Sequence, residues 1–504
     1  MVKQWLGFIF FNCLKRNVKI YFDISFYLSY NFTCGGTMEY ISIHDISAKW
    51  NMKERKVTAF CREGRIAGAK KVGKTWMIPS DALIPLDKRT KDFENFELEI
   101  ESDNRFIPYT KSGGEERVVS YYREKYLKSP MYTAFTPYRI CPIGAHVDHN
   151  LGKITGFAID KGIHFAYSIK NNGIIELESL QYPKRAQWHV LHTPGTLEQD
   201  WADPLRGATI ELNNRYPLRY GLSAVIDGEL PIGGLSSSSS LIITFVNALA
   251  FVNGIHLEKD ELIEIAEYSE NKYLGIANGK LDESCEVYSK KNCLLYVDML
   301  DNHYELIETP KNMQYDIGIF FSGLEKGLST HKYNIRTDEL RSCAYLLKSL
   351  SGMELSKFHD TNMREILYEV FEKYQSKLPL NYKKRAIHWY GENERVEKGI
   401  IAYQKGDIKT FGTLVTESGE SSIDNWEVGS KELITLFHIL KDMNGVYGTR
   451  FSGSGFKGCC IAFMDPKKSS HILKKVEEEY CREFPKLKNK YSAHICHSAD
   501  GVQL

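Results

Sequence analysis

Pro231-Ile-Gly-Gly-Leu-Ser-Ser-Ser-Ser-Ser-Leu-Ile-Ile-Thr-Phe-Val246 sets two glycines and five serines directly before an apolar run. Leu222–Asp227, just upstream, reads as a strand, and Leu241–Val252 is long and apolar enough for a buried helix. The order is therefore strand, Gly/Ser loop, helix. A phosphate group needs that order. Backbone N–H groups of the loop and first helical turn point at the anion, and the helix dipole adds a favourable field. Gly233 and Gly234 let the backbone approach closely. Ser236, Ser237, Ser238 and Ser239 offer hydroxyls to phosphate oxygens or to Mg²⁺. A flexible serine linker is the competing reading, but a linker is not followed at once by Leu-Ile-Ile-Thr-Phe-Val.

Two further glycine-bearing segments lie far away in the chain, Thr136-Pro-Tyr-Arg-Ile-Cys-Pro-Ile-Gly-Ala-His-Val-Asp-His-Asn150 and Gly448-Thr-Arg-Phe-Ser-Gly-Ser-Gly-Phe-Lys-Gly-Cys459. Between them the pattern alternates. Arg117–Tyr126 reads as an amphipathic helix. Met131–Phe135, 162–169 and 173–179 read as strands. Helices and strands are mixed along the whole body, which predicts an α+β fold.

The glycine-serine loop resembles the second motif of the GHMP kinases, the group that includes galactokinase, homoserine kinase and mevalonate kinase. It is one residue shorter than in galactokinases. Other stretches resemble galactokinase landmarks in the same order: Glu270-Asn-Lys-Tyr-Leu-Gly-Ile-Ala-Asn-Gly-Lys-Leu-Asp-Glu283, Leu328-Ser-Thr-His-Lys-Tyr-Asn-Ile-Arg336, Arg385-Ala-Ile-His-Trp-Tyr-Gly-Glu-Asn-Glu-Arg-Val396 and the Gly448–Cys459 segment. The resemblance implies two lobes, an amino-terminal one at 115–310 and a ferredoxin-like carboxy-terminal one at 311–504, with the site between them. It implies ATP and Mg²⁺.

It also implies roles. Asp282 takes the proton of the anomeric hydroxyl. Arg139 lies beside it, since a cation within a few ångströms favours the ionised carboxylate. Ser237 and Glu270 are the candidates for Mg²⁺. Gly453 and Gly455 shape a loop near the phosphates, or are turn glycines only. Ala145, His146, Asp148 and Tyr333 form the sugar edge.

One departure bears on the substrate. Ala145 stands where galactokinases carry a glutamate near the C6 hydroxymethyl of the sugar. A carboxylate suits an O6–H donor but repels a C6 carboxylate. Ala145 removes that charge, so a hexuronic acid, galacturonate above all, is the expected substrate. The segment around it resembles galacturonokinases more than galactokinases, and Pro142 and His149 depart from the galactokinase pattern as well.

The 504 residues allow roughly three domains, and 43% of them are apolar, so a sizeable core is available. Net charge is +1, which excludes no partner. The charge is uneven: residues 49–75 hold nine Lys/Arg and two Glu, a basic island that hints at nucleic acid. Eleven cysteines show no Cys-x-x-Cys pair, which fits reduced thiols better than a disulfide framework or a zinc site. The apolar run Trp5–Phe11 is too short to span a bilayer, so no membrane contact and a cytoplasmic location are expected.

Residues 38–85 predict a small module. Ser42 is an N-cap with Asp45 three residues on, opening a helix to Trp50. A second helix runs from Lys53 to Arg62, and 66–79 reads as a basic hairpin turning at Gly73-Lys74. The outline is a winged helix-turn-helix, and the segment resembles excisionase-like and MerR-like DNA-binding domains. Those folds place the second helix in the major groove and the basic hairpin on phosphates. The alternative is a docking or dimerisation domain. Residues 86–114 read as a linker. Residues 1–37 read as a non-native or disordered extension: Met38 follows Gly35-Gly36-Thr37, whose Gly-Gly codons can spell a ribosome-binding sequence, so the start is expected at Met38.

Three functions stay open: a galacturonate 1-kinase with a DNA-binding or docking module, a galactokinase of relaxed specificity, and a transcriptional regulator whose kinase body senses a sugar.

Overall fold

The computed structural model describes residues 40–50, 52–62, 66, 69–73, 75–80, 82, 113–324 and 330–503. The readings for 1–37 and for most of the linker lie outside those residues, as do Gly64, Arg65 and Lys74. The chain divides into two compact units between Glu99 and Ile100.

In the first unit, Ser42 caps the helix Ile43–Lys49, and Asp45 returns the bond to the Ser42 N–H as a capping box. The second helix is Glu54–Arg62. Three short antiparallel strands, β1 (Tyr40–Ser42), β2 (Lys70–Val72) and β3 (Thr75–Pro79), pair in the order β1-β3-β2. Ile46, Trp50, Val57, Phe60, Cys61, Ile66 and Ile78 make one small core. Arg55, Lys56, Arg62, Lys70 and Lys71 stay exposed.

Among the described residues, the second unit opens with the helix Gly113–Tyr126, which starts four residues earlier than the apolar pattern indicates. Gly114 permits this, because a Cβ there would lie 2.3 Å from the His164 ring. An eight-stranded sheet follows, built from β4 (Tyr132–Ile140), β5 (Lys153–Lys170), β6 (Ile174–Ser179), β7 (Ala186–His189), β8 (Gly221–Gly228), β9 (Cys293–Asp298) and β10 (His303–Glu308), plus a last strand given below. The path is β10-β9-β5-β8-β6-β7, with β4 also on β5. β5 is long enough to pair with β9 at one end and β8 at the other. β4 extends beyond Phe135 to Ile140, and its buried end carries Arg139 into the molecule.

A four-stranded antiparallel sheet, β11 (Asp316–Phe321), β12 (Val446–Phe451), β13 (Cys459–Met464) and β14 (Ser492–Cys496), is ordered β12-β13-β11-β14. Helices separate β11 from β12 and β13 from β14. This is the ferredoxin-like arrangement. The chain then returns to the first sheet: β15 (Ser498–Ala499) pairs with Ile159 and Ala158 of β5. Gly501 N–H donates to Ser289 O at 2.7 Å and Val502 N–H to Glu286 O at 2.8 Å. These bonds close the end of the helix Leu281–Tyr288, which carries Asp282. Among the described residues, no helix is long and apolar enough to cross a membrane.

Candidate active site

Strand β8 ends at Gly228, and the glycine-serine loop leads into the helix Ser237–Val252. Ser236 sits at the N-cap position in the left-handed region (φ 54°), and its side chain does not cap the helix. The first-turn N–H groups are thus left without a side-chain partner, as an anion-binding helix end requires. Gly233 (φ 140°) and Gly234 (φ 88°) also need the left-handed region. They have no room to spare: a Cβ on Gly453 would lie 2.9 Å from Gly234 Cα, and one on Gly458 2.8 Å from the Gly233 carbonyl carbon. The Gly448–Cys459 segment therefore packs its backbone directly on the glycine-serine loop. Gly453 (φ 67°) is part of that contact, while Gly455 (φ 74°) packs against Val428.

One cavity gathers most of the expected residues. Arg139, Ala145, His146, Asp148, Asp282 and Tyr333 line it, with Gly234, Ser236, Ser238, Glu270 and Gly453. Arg139 Nε lies 2.7 Å from Asp282 Oδ1 and its Nη2 2.6 Å from the same oxygen. Arg139 also donates to Gly234 O at 3.1 Å and to the Ser236 hydroxyl, which in turn donates to Asp282 Oδ2. Asp282 stands in the first turn of its helix and is a quarter exposed, open to the cavity. The next residues of that helix are different. Burial pushes Glu283 well up, helped by the Glu270 and Asp282 charges, and burial likewise pushes Glu286 up. Both shifts oppose further negative charge behind Asp282.

Glu270 lies in a π-helical turn, Ser269–Tyr273. Its Oε1 accepts from Ser238 Oγ at 3.2 Å and from Ser239 Oγ at 3.3 Å, and Asn278 Nδ2 donates to its Oε2. The serine pattern differs in detail from the pair Ser237 and Glu270. Successive residues of a helix point about 100° apart, so Ser238 and Ser239 face Glu270 and Ser237 opens the helix beside them. A single carboxylate among hydroxyls suits Mg²⁺, which takes one or two carboxylates and shares its other positions with phosphate and water.

The expected sugar edge includes strained backbone. His146 has φ 64°, and its ring stacks on Trp426 with centroids 5.4 Å apart and planes 9° apart. Burial, with His388 and Arg450 nearby, lowers its basicity well below the usual imidazole range. Asp148 Oδ2 accepts from Leu281 N–H at 3.3 Å. Its burial favours the neutral acid, but His149, 3.6 Å from Oδ1, and the backbone N–H groups outweigh burial and hold the carboxyl below its ordinary value. Burial, next to Asp148, pushes Tyr333 up, so it keeps its O–H. Ala145 presents a methyl group to the cavity, and its carbonyl accepts from His388 Nε2 at 3.0 Å.

His388, Glu392, Trp426, Ser452, Asn278 and Gly279 also shape the site. His388 and Glu392 lie in the Arg385–Val396 stretch, whose register signalled them without roles. Trp426 has no motif around it. A Cβ on Gly279 would lie 2.5 Å from Asp148 Oδ2. A second cavity opens at the start of the phosphate loop, lined by Gln181, Tyr182, Pro231, Ile232, Phe321 and Leu324. Tyr182 there stacks on Trp201 at 5.8 Å and 6°.

The sequence matches the GHMP kinases N terminal domain over residues 184–290 and the GHMP kinases C terminal domain over 399–482. It is 33% identical over 402 residues to the galacturonokinase of Arabidopsis thaliana, covering 75% of this chain and 94% of that protein. It is 31% identical over 381 residues to a galactokinase of Thermotoga neapolitana, covering 73% and 98%. The fold superposes on Lactococcus lactis galactokinase complexed with galactose with a TM-score of 0.69 at 25% identity, covering 77% of this chain and 98% of that one. The chain belongs to the GHMP kinase family as a galactokinase-like, ATP- and Mg²⁺-dependent phosphotransferase.

Proposed function

We propose that this kinase transfers the γ-phosphoryl group of ATP to the anomeric hydroxyl of galacturonate, giving galacturonate 1-phosphate. The observation that carries the substrate is Ala145: at the cavity wall, beside His146 and Asp148, a methyl group stands where a carboxylate would repel an acidic sugar. The similarity to a galacturonokinase supports the same choice.

Phosphoryl transfer depends on positioning and charge neutralisation. Asp282, fixed by Arg139 and Ser236, takes the proton of the O1 hydroxyl. Asp148 accepts from ring hydroxyls, with Tyr333 next to it. The loop N–H groups at Gly233–Ser239 hold the phosphates. Glu270 with Ser238 or Ser237 would hold Mg²⁺, which neutralises phosphate charge when bound. The cavity at Tyr182 and Ile232 suits the base of the nucleotide, because it is partly apolar and adjoins the loop. The test is a panel of sugars assayed for ATP-dependent phosphorylation, with the phosphate located on C1 by NMR. Galacturonate is expected to exceed galactose. Equal or better turnover of galactose makes the protein a galactokinase of relaxed specificity, and no turnover of either favours a sugar sensor.

We further propose that residues 38–85 bind DNA. The exposed Arg55, Lys56 and Arg62 on the second helix and Lys70 and Lys71 on the hairpin support this. Retention of the full-length protein on a DNA column, with steep loss on adding salt, is the check. Retention that salt does not weaken, or none, leaves docking or dimerisation.

A further inference from the structure

Among the described residues, the cavity wall contains three carboxylates, Asp148, Glu270 and Asp282, and one arginine or lysine, Arg139. Arg139 is already committed to Asp282. An acidic sugar brings one more negative charge into this space, and a desolvated anion beside carboxylates needs a counter-charge. Among the described residues of the wall there is none to spare, which directs attention to the charges behind it.

Behind the Gly144–Ala145 turn lies Glu392, fully buried. Its Oε2 accepts from Gly144 N–H at 2.7 Å and from Ser418 Oγ at 2.8 Å. Its Oε1 is taken by Arg395, with Nε at 2.7 Å and Nη2 at 2.6 Å. A second arginine, Arg450 of β12, reaches this same carboxylate only at 3.9 Å. Arg450 is 1% exposed, and its direct partners are neutral: Ser418 Oγ at 2.6 Å, Ser422 Oγ at 3.3 Å and Phe451 O at 2.8 Å. Two arginines therefore share one carboxylate, a surplus of one positive charge beneath the cavity. A buried charge without its own counter-ion is costly. Arg450 also acts on two wall residues, opposing the rise that burial imposes on the Cys141 thiol and adding to the lowering that burial imposes on His146. A glutamate at 145 would balance this surplus from within the protein. Alanine leaves it for the substrate.

We propose that Arg450 is the specificity-determining charge for the acidic sugar: its guanidinium, which shares Glu392 with Arg395 behind the Gly144–Ala145 turn, compensates the C6 carboxylate. This rests on the galacturonate reading above. The experiment is steady-state kinetics of the full-length protein with ATP, Mg²⁺ and galacturonate. Arg450→Gln is expected to raise KM for galacturonate about tenfold or more with kcat within about threefold, and Arg450→Lys to restore most of the loss. An unchanged KM, or parallel loss of kcat in both variants, overturns the proposal. If Arg450→Gln does not fold, Arg450→Met decides, since a buried site tolerates an apolar side chain of similar length in place of a charge. It is expected to raise KM for galacturonate about tenfold and to leave KM for galactose within about threefold, and equal rises for the two sugars overturn the proposal. Absence of wild-type turnover on galacturonate is a different result: it removes the proposed substrate, and the role of Arg450 with it.

Discussion

Arg139 holds Asp282 by a single oxygen: Nε at 2.7 Å and Nη2 at 2.6 Å both meet Oδ1, which leaves Oδ2 to the Ser236 hydroxyl. The carboxylate is fixed on both sides, and Asp282 is still a quarter exposed to the cavity. A group so placed is suited to accept a proton from a hydroxyl that docks there. Asp282→Asn is therefore expected to lower kcat by about a thousandfold while ATP binding, measured by calorimetry, is kept. Retained turnover would rule out Asp282 as the base.

Ala145→Glu places a carboxylate on the cavity wall. We expect kcat/KM for galacturonate to fall by about tenfold to a hundredfold and that for galactose to rise. Assays of both sugars with both proteins provide the measurement; no shift in their ratio would reject the charge argument.

Gly234 cannot take a side chain. Its φ is 88°, and a Cβ would stand 2.7 Å from Cys459 Sγ and 3.0 Å from Ser452 O. Gly234→Ala is expected to cost about 1–3 kcal/mol of stability and to raise KM for ATP. Denaturant titration and ATP kinetics test this together. Gly254→Ala is a control for backbone strain alone, since Gly254 has φ 68° but open space around it.

Acid sensitivity has a defined source in His388. Burial pushes its imidazole down to about 4 from 6.5, so the neutral ring donates from Nε2 to Ala145 O and accepts at Nδ1 from Ser421. A depressed folded value means that stability is whole above pH 6.5, where the unfolded imidazole is neutral too. It falls as pH drops from 6.5 toward 4, where the folded ring finally protonates. The loss amounts to about 3 kcal/mol. Urea titrations at pH 7.5 and pH 4.5 should show a smaller pH difference in His388→Gln than in the wild type; an equal difference would assign the acid sensitivity elsewhere. Glu392, held down to about 2 by Arg395 against the cost of its burial, keeps its own contribution above pH 4.5 and loses it only as pH falls toward 2.

Local chemistry was the legible part of this molecule. The glycine-serine loop announced its helix because glycine freedom and an apolar run are written in adjacent residues. The capping box of Ser42 and Asp45 was readable for the same reason. Long-range geometry was not. Nothing near Trp426 marks it as the ring stacked on His146, and nothing near Arg450 ties it to Glu392, since both pairs join segments far apart in the chain that meet only in space. The phase of a helix was also hidden: the sequence offers five serines, and only the folded helix shows that Ser238 and Ser239 are the two that bond to Glu270.

The closing strand β15 gives the two halves of the Arg–Asp pair a common anchor. Ala499 pairs with Ala158 of β5, the same residue that Arg139 faces from β4, while Gly501 and Val502 seal the end of the helix that bears Asp282. A strand of two residues thus braces the cation and its carboxylate together, so a change there reaches both partners at once without touching the cavity wall.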